Sequence, residues 1–203
     1  MDKLPRSYYA RDSITAAKDL LGKYLVHASP EGETVGKIVE TEAYRGPVDA
    51  AAHSFNGKST ARTKVMFGPG GFAYVYLIYG MHYCFNIVTG PEQFPEVVLL
   101  RALEPINGID LMKKRRRTDK PTNLCSGPGK LCAAMGITKE HYGIDLCGDT
   151  LFLLTGEYVK EETVAATPRI NIDYAGEAVA YPWRFIIKDS PFLSVKFKNR
   201  ACE

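Results

Sequence analysis

The chain is poor in the residues that build metal sites and disulfide frameworks, with five cysteines and four histidines among 203 residues. The cysteines are odd in number and include no Cys-x-x-Cys pair, and the histidines show no zinc-ligand spacing. This pattern argues against a zinc module and against a disulfide-rich secreted scaffold. It predicts buried free thiols in a reducing compartment.

Long apolar runs are also missing. The first six residues lack the apolar run of a secretory signal, and no stretch approaches the length needed to span a membrane. We therefore expect a cytoplasmic protein with no membrane partner. The net charge of +3 is only mildly basic, which fits a nucleic-acid-binding protein and equally fits many enzymes of small molecules.

No internal repeat or low-complexity segment divides the chain, and its length suits one well-buried core. Aromatic and β-branched runs on either side of the turn 79–82 predict a β-hairpin. We predict one α+β domain over 1–203, in which helices flank a central curved antiparallel β-sheet and this hairpin protrudes. The predicted helices are 14–21, 107–117 and 128–136; the predicted strands are 23–27, 36–43, 72–78, 83–88, 97–103, 151–155 and 184–187. The segment 44–66 is predicted to be a long loop, of the kind that is often functional.

Two glutamates and an arginine are the first candidates for chemistry. In a strand over 36–43, Ile38, Glu40 and Glu42 are expected to share one face because side chains alternate. Arg101 lies in a strand that is apolar on both faces, where an unpaired charge is too costly, so a glutamate of a neighbouring strand is its natural partner. A buried ion pair without chemistry explains the same pattern, and this alternative stays open.

Tyrosines and a histidine lie close to these charges in the sequence. Stacking surfaces that grip an extruded base, next to an acid or base at the bond to be cut, are what base-modifying enzymes need. Tyr79 falls in the hairpin turn, where a large aromatic side chain suggests insertion between the base steps of DNA. The alternative is that Tyr79 folds back onto its own sheet.

Several cations and hydroxyl groups could meet a phosphate backbone. The helix start Gly127-Pro128-Gly129-Lys130 offers free amide groups and a lysine. The long loop adds Lys58, Thr60 and Arg62. The cationic run 113–117 is explained more simply as a complement to the C-terminal end of its helix.

In these segments the chain resembles the alkyladenine (3-methyladenine) DNA glycosylases of the mammalian type, which also occur in bacteria. The resemblance covers almost the whole chain, in order. The matching segments are VETEAY at 39–44, AAHS at 51–54, YVYLIYGM at 74–81, NI at 86–87, VLLRALEP at 98–105, LCSGPGKLC at 124–132, and shorter ones at 169–170, 175–176, 184–185 and 190–191.

The resemblance implies a catalytic role for three positions. Glu42 would be the general base, activating a water that Arg101 and the main-chain carbonyl of Ile170 also hold. The reaction would be hydrolysis of the N-glycosidic bond of a damaged purine, leaving an abasic site. No nucleophilic lysine stands in the motif, so a strand-cleaving lyase step is not expected, and neither a metal ion nor an organic cofactor is required.

The resemblance also implies how double-stranded DNA containing damaged purines would be held. A flipped base would lie between Tyr44 on one side and His53 with Tyr76 on the other, and Asn86 would clash with the amino group of guanine. Tyr79 would fill the gap in the duplex. The positions expected to contact DNA are Lys58, Thr60, Arg62, Met81, Lys130 and Lys139. Nothing in the sequence requires more than a monomer.

The chain departs from the family pattern at the hairpin tip 81–83 and at 171–174, which is less rich in glycine. Two rival interpretations remain. The segment 124–131 weakly resembles the hairpin of helix-hairpin-helix glycosylases, which would make Asp145 or Asp149 the catalytic carboxylate in a mostly helical protein. A module that binds lesions without releasing a base is the second rival, against which the presence of both Glu42 and Arg101 argues.

Overall fold

The long strand β2 organises the sheet in the computed structural model, which describes residues 1–197. The eight strands are β1 (Tyr24–Ser29), β2 (Gly32–Tyr44), β3 (Ala73–Ile78), β4 (His82–Thr89), β5 (Glu96–Asn107), β6 (Leu151–Leu154), β7 (Val164–Thr167) and β8 (Arg184–Ile187). Their order is β3-β4-β5-β2-β1-β6, and β8 pairs with β2 and β7. One edge of β2 pairs antiparallel with β1 over 32–37 and with β8 over 40–42, so the sheet divides there and curls. The predicted α+β domain with a curved antiparallel sheet is confirmed.

Within residues 1–197, four short α-helices accompany the sheet, namely α1 (Arg6–Tyr9), α2 (Ser13–Asp19), α3 (Ile109–Arg116) and α4 (Pro128–Met135). The Asp12 carboxylate caps α2 by accepting hydrogen bonds from the main-chain N–H groups of Ile14 and Thr15 at 3.1 and 3.0 Å. Helix α4 starts with proline and ends at Gly136, whose φ of 73° lies in the left-handed region. The three predicted helices therefore form, each slightly shorter than expected.

The main hydrophobic core lies where α2, α3 and α4 pack against one face of the sheet. Strands β2 and β5 contribute Ile38, Leu100 and Leu103 to it, and all three side chains are fully buried. The opposite face of the same two strands carries a much smaller apolar cluster that includes Val39 and Ala102. The charged residues of interest lie on this second face.

A β-bulge in each of β2 and β5 decides which side chains reach that second face. The pairing register shifts between Ile38 and Glu40 and again between Glu40 and Thr41. At these two shifts the extra residues are Val39 in β2 and Arg101 in β5, so each strand has one residue there without a direct partner. Bulges of this kind redirect side chains and are common beside active sites.

The prediction that Ile38 shares a face with both glutamates is wrong. Ile38 packs in the main core, whereas Glu40 and Glu42 lie with Val39 on the opposite face. The alternation expected for a regular strand is interrupted because the bulge places two consecutive side chains, Val39 and Glu40, on the same side. Glu42 then follows Glu40 at the ordinary spacing of two.

Two other strands also differ from expectation. The strand predicted over 97–103 continues to Asn107 as β5, and Pro105 pairs with Gly36 next to a register irregularity. Such a position accommodates a residue that has no N–H group. Strand β7 was not predicted individually, because its sequence Val-Ala-Ala-Thr is too short and plain to show alternation.

The predicted hairpin forms from β3 and β4 around a tight turn. Tyr79 and Gly80 both have positive φ, 54° and 68°, and the N–H group of Met81 donates to the carbonyl of Ile78 at 3.2 Å. Two central residues of positive φ define the turn type whose twist suits a hairpin. The Tyr79 side chain is 74% exposed, so it does not fold back onto its sheet.

The thiols within residues 1–197 are free, as predicted. Cys84, Cys125 and Cys132 are buried and Cys147 is half-buried, and burial raises the pKa of Cys125 to about 12. The expectation for Cys202 lies outside the described residues. Within the described part of the chain, no helix combines the length and apolar character needed to cross a bilayer.

Candidate active site

Glu42 is a fully buried carboxylate whose two oxygens are both hydrogen-bonded. Its Oε2 accepts from Nη1 of Arg101 at 3.2 Å and from the hydroxyl of Tyr44 at 2.8 Å. Its Oε1 accepts from the main-chain N–H of Ile170 at 2.8 Å. The structure thus brings together Glu42, Arg101 and Ile170, the three positions predicted to be catalytic, although the Ile170 contact seen here uses its N–H group.

A second buried carboxylate, Glu40, holds the other side of the Arg101 guanidinium. Its Oε1 accepts from Nε of Arg101 at 3.0 Å and from Nε of Arg184 at 2.7 Å. The main-chain N–H of Ser194 donates to Oε2 at 2.6 Å. Burial alone would raise the pKa of Glu40, but the two guanidinium groups and Ser194 outweigh it and hold the pKa below its usual value.

A small cavity of about 40 Å³ lies beside this cluster. It is lined by Tyr44, Ala51, His53, Met66, Tyr74, Tyr76, Asn86, Val97 and Tyr174. All four residues predicted to bind a base therefore line the same cavity. Tyr44 links the cavity to the charged cluster, because it lines the cavity while its hydroxyl group donates to Glu42.

His53 packs against two tyrosines at this cavity. The centroids of the His53 and Tyr76 rings are 4.7 Å apart in an edge-on arrangement, and Nδ1 of His53 lies 2.8 Å from the hydroxyl of Tyr74. Desolvation among these rings, with a smaller contribution from Arg62, lowers the pKa of His53 to about 4. The imidazole is therefore neutral at physiological pH.

Arg62, predicted to contact DNA phosphates, is exposed but packs against three residues that line the cavity. Its guanidinium carbon is 4.7 Å from the centroid of the Tyr76 ring, and Nη2 is 3.1 and 3.0 Å from the two ring nitrogens of His53. Nε donates to the Tyr74 hydroxyl at 3.2 Å. A flat cation thus stacks on one of the aromatic walls.

Asn86 reaches the cavity from β4 and is nearly fully buried. Its amide nitrogen donates to the main-chain carbonyl of Tyr74 at 3.1 Å, which orients the side chain across the β3–β4 pairing. A buried amide held in this way presents a fixed polar edge to anything that enters.

Arg169 is a supporting residue that the sequence motifs contained but to which no role was assigned. Nη1 and Nη2 bond both carboxylate oxygens of Asp49 at 2.5 and 2.8 Å, and both side chains are fully buried. The guanidinium also stacks on the rings of Tyr44 and Trp183. The pair fixes the segment that carries Ile170 and one aromatic wall of the cavity.

Two more tyrosines of the cavity were not assigned a role from the sequence. Tyr74 is two residues before Tyr76 on β3, so strand alternation was the signal that could have found it. Tyr174 is 71% exposed, and its hydroxyl donates to the carbonyl of Ala51 at 3.3 Å. No local pattern indicates its place, because it depends on how the loop after Ile170 crosses the cavity.

The remaining predicted DNA contacts occupy several parts of the surface. Tyr79 and Met81 are 74% and 70% exposed at the hairpin tip. Lys58 and Lys139 are exposed, and Nζ of Lys130 bonds Oδ1 of Asn123 at 2.6 Å. These positions stay predictions as DNA contacts.

Side-chain contacts bear on two further sequence hypotheses, and the role of Thr60 in binding DNA stays a prediction. Thr60, also predicted to contact DNA, exchanges local hydrogen bonds with Thr63. In the cationic run, Arg115 and Arg116 donate to the main-chain carbonyls of Ala134 and Leu124, which supports a structural role.

The helix-hairpin-helix interpretation is wrong for this chain. That superfamily is mostly helical, whereas an eight-stranded sheet dominates residues 1–197. Its candidate carboxylates are engaged elsewhere, since Asp145 pairs with Arg6 at 2.5 Å and Asp149 pairs with Lys3. Neither aspartate contacts Arg101 or Glu42.

The fold and the site define a single-domain α+β protein with a buried Glu–Arg cluster beside an aromatic cavity. Residues 7–191 match the family model described as Methylpurine-DNA glycosylase. A relative from Alkaliphilus oremlandii (strain OhILAs), carrying the name "Putative 3-methyladenine DNA glycosylase", is 52% identical over 203 residues, covering 96% of this chain and 100% of its own length. A relative of the same name from Bacillus cereus (strain ATCC 10987 / NRS 248) is 52% identical over 205 residues, covering 95% and 98%. The chain belongs to the methylpurine-DNA glycosylase family, which confirms the resemblance seen in its sequence.

Proposed function

We propose that this protein removes alkylated or deaminated purines, 3-methyladenine among them, from double-stranded DNA by hydrolysing the N-glycosidic bond. The observation that carries the proposal is the Glu42 carboxylate, fully buried and held by Arg101, Tyr44 and Ile170 at the edge of an aromatic cavity. We assign this carboxylate the role of general base, and not of a purely structural charge, because the aromatic cavity beside it can hold a flat nucleobase. The product is an abasic site.

Glu42 accepts a proton from the attacking water while the sugar develops positive charge. A fixed carboxylate stabilises that charge without having to reorient during the reaction. Arg101 and the Ile170 main chain position the carboxylate and the water, and the Ile170 carbonyl is assigned to the water. The residues need no metal or organic cofactor for this chemistry.

The damaged base is flipped out of the duplex and stacks between Tyr44 and the pair His53 and Tyr76. Electron-rich tyrosine faces attract an alkylated, cationic purine by roughly 0.5–2 kcal/mol per contact. Neutral His53 adds no positive charge that would repel such a base. Asn86 excludes normal guanine because its side chain clashes with the exocyclic amino group of that base.

The base must displace side chains as it enters, because the cavity of about 40 Å³ is far below the roughly 300 Å³ of sites that enclose drug-sized ligands. Arg62 is the group in the way, since its guanidinium stacks on Tyr76. On entry of the base, Arg62 leaves the ring and becomes available to a DNA phosphate. This movement reconciles its position here with a role in binding DNA.

Tyr79 fills the gap that the flipped nucleotide leaves. It stands at the tip of the hairpin, exposed and on a turn of positive φ that directs it outward. The exposed cations Lys58 and Lys139, together with Lys130, supply salt-dependent attraction to the backbone. We assign the protein to the cytoplasm, at the nucleoid, acting as a monomer.

The deciding experiment is excision from a duplex oligonucleotide that carries a single hypoxanthine, comparing wild type with Glu42→Gln. We expect the single-turnover rate constant to fall by about 10²–10⁴-fold in Glu42→Gln, because the general base is lost. Glu33→Gln is the matched control, since it makes the same change at an exposed position of the same strand, and it keeps the wild-type rate.

Two results would contradict the proposal. Equal excision by wild type and Glu42→Gln removes Glu42 from its role. Binding of the lesion by the wild type without release of any base identifies a recognition module instead of an enzyme.

A further inference from the structure

Glu40 has no role in the reaction proposed above, yet it is as buried as Glu42 and lies two residues away on the same strand. It accepts four hydrogen bonds, from Nε of Arg101, Nε of Arg184, and the N–H and hydroxyl groups of Ser194 at 2.6 Å each. Glu42, by comparison, accepts three hydrogen bonds. A second buried carboxylate with four hydrogen-bond donors requires an explanation.

The geometry points to Glu40 as a positioning residue that controls how Arg101 meets Glu42. Glu40 takes the Nε edge of the guanidinium, which leaves only Nη1 for Glu42, at 3.2 Å. The Ser194 hydroxyl accepts from Nε and Nη2 of Arg101 at 3.4 and 3.3 Å and completes the restraint. Arg101 therefore cannot rotate to form a two-point salt bridge with Glu42, which would add a second guanidinium N–H at Oε1 beside that of Ile170 and leave less of the carboxylate free to accept a proton.

Charge balance gives a second reason. Arg101 and Arg184 carry two positive charges, and Glu40 and Glu42 carry two negative ones, so the buried cluster is neutral. Without the charge of Glu40 the cluster has a net charge of +1, and Glu42 becomes the sole counter-ion of two arginines. A carboxylate in that position is a poorer proton acceptor, because its charged form is stabilised by the surrounding cations.

Other groups facing Glu42 do not replace this contribution. The titratable and charged groups around Glu42 and its partner arginine are Glu40 and Tyr44 on β2, Cys84 on β4, Arg101 on β5, Arg184 on β8, and, in the loop beyond β7, Tyr174 and Arg169, whose charge Asp49 neutralises. Among these only Glu40 supplies a second negative charge. Its removal is therefore uncompensated.

The test rests on the proposed function and uses the same hypoxanthine duplex under saturating enzyme. For Glu40→Gln we expect the single-turnover rate constant on its pH plateau to fall on the order of 100-fold, the loss typical of a misplaced catalytic group. Duplex affinity stays at the wild-type value. The acid limb of the pH–rate profile moves to lower pH, because a neighbouring negative charge has been removed.

Two variants separate positioning from mere stability. Glu40→Asp keeps the charge, so it keeps the acid limb of the wild type and has a rate constant between those of wild type and Glu40→Gln. Glu96→Gln is the matched control, because Glu96 is a buried carboxylate of β5 that holds the main-chain N–H of Ser13 at 2.6 Å. It lowers thermal stability but leaves the rate constant of the folded enzyme unchanged.

A rate constant within twofold of wild type in folded Glu40→Gln, or an equal loss in Glu96→Gln, overturns the inference. If Glu40→Gln does not fold, Ser194→Ala decides, since it removes one restraint on Arg101 and leaves every charge in place. A fall of roughly 2- to 10-fold at unchanged affinity supports positioning, and an unchanged rate refutes it. Full activity in Glu42→Gln would instead refute the proposed function, so the two failures can be told apart.

Discussion

The two faces of the β2–β5 pair bury side chains of opposite character. Leu100 and Arg101 are consecutive on β5, but Leu100 packs in the main core under the helices while Arg101 joins two glutamates on the other side. Both are buried, at 0% and 7% exposure. One strand thus serves an apolar core and a charged site at once.

This difference shows that a buried charged residue depends on particular partners more than a buried apolar residue does. An apolar core accepts many side chains of suitable volume. A buried charge is tolerated only when its counter-charges and hydrogen bonds are all in place. The bulges that put Val39 and Arg101 out of register allow one pair of strands to meet both demands.

The largest effect is expected from breaking the charged face with Arg101→Met. Two buried glutamates lose their shared cation, which is expected to reduce the free energy of unfolding by about 3–5 kcal/mol. Excision falls by at least about 10²-fold, because the group that positions Glu42 is gone. Urea unfolding and single-turnover excision measure the two effects, and a variant that keeps either property would show that Arg101 matters to only one.

The adjacent substitution Leu100→Ala breaks the apolar face alone. A cavity in the main core is expected to reduce the free energy of unfolding by about 2–5 kcal/mol. The excision rate constant of the folded fraction stays at the wild-type value, since Glu42 and Arg101 keep their contacts. A rate loss that matches Arg101→Met, at a temperature where both variants are folded, would show that the two faces are not independent.

The smallest effect is expected from a buried polar pair on the apolar side, His27 and His141. Their Nε2 atoms are 3.0 Å apart, Nδ1 of His27 donates to the carbonyl of Met135 at 2.6 Å, and Nδ1 of His141 accepts from the N–H of Thr138 at 3.1 Å. This arrangement requires both rings to be neutral. Burial accordingly lowers the pKa of each below the ordinary value of 6.5.

Because the unfolded chain takes up these protons more readily than the folded one, stability is greatest above pH 6.5 and declines as the pH falls below it. Urea unfolding of the wild type between pH 7.5 and 5.5 is expected to show this decline. His141→Gln removes one titrating ring, so its stability should vary less over the same range. An identical slope in both proteins would contradict the assignment.

Features with local signals could be predicted from the sequence. The hairpin followed from aromatic runs around Tyr79-Gly80, and α4 from the proline and glycine at its ends. The pairing of Arg101 with a glutamate followed from one charge in an apolar strand. The aromatic cavity followed from family motifs, and Tyr74 could have been added by alternation.

Features that depend on tertiary contacts could not be predicted. A run of β-forming residues contains no signal for the bulge at Val39, so the face of the sheet predicted for Ile38 was wrong. The partners of Glu40 come from Arg184 and Ser194, separated from it by 144 and 154 positions. The position of Arg62 depends on how its loop returns to β3, which no periodicity describes.

The long sequence separations within this site matter inside a cell, because the family acts on DNA, the polymer of the genome. A catalyst assembled from nearby residues could form in a nascent or partly unfolded chain and act on undamaged bases. In the proposed mechanism Glu42, Arg101 and Ile170 activate the water together, and Ile170 lies 128 positions from Glu42. We therefore expect hydrolytic activity to appear only when the chain has completed folding.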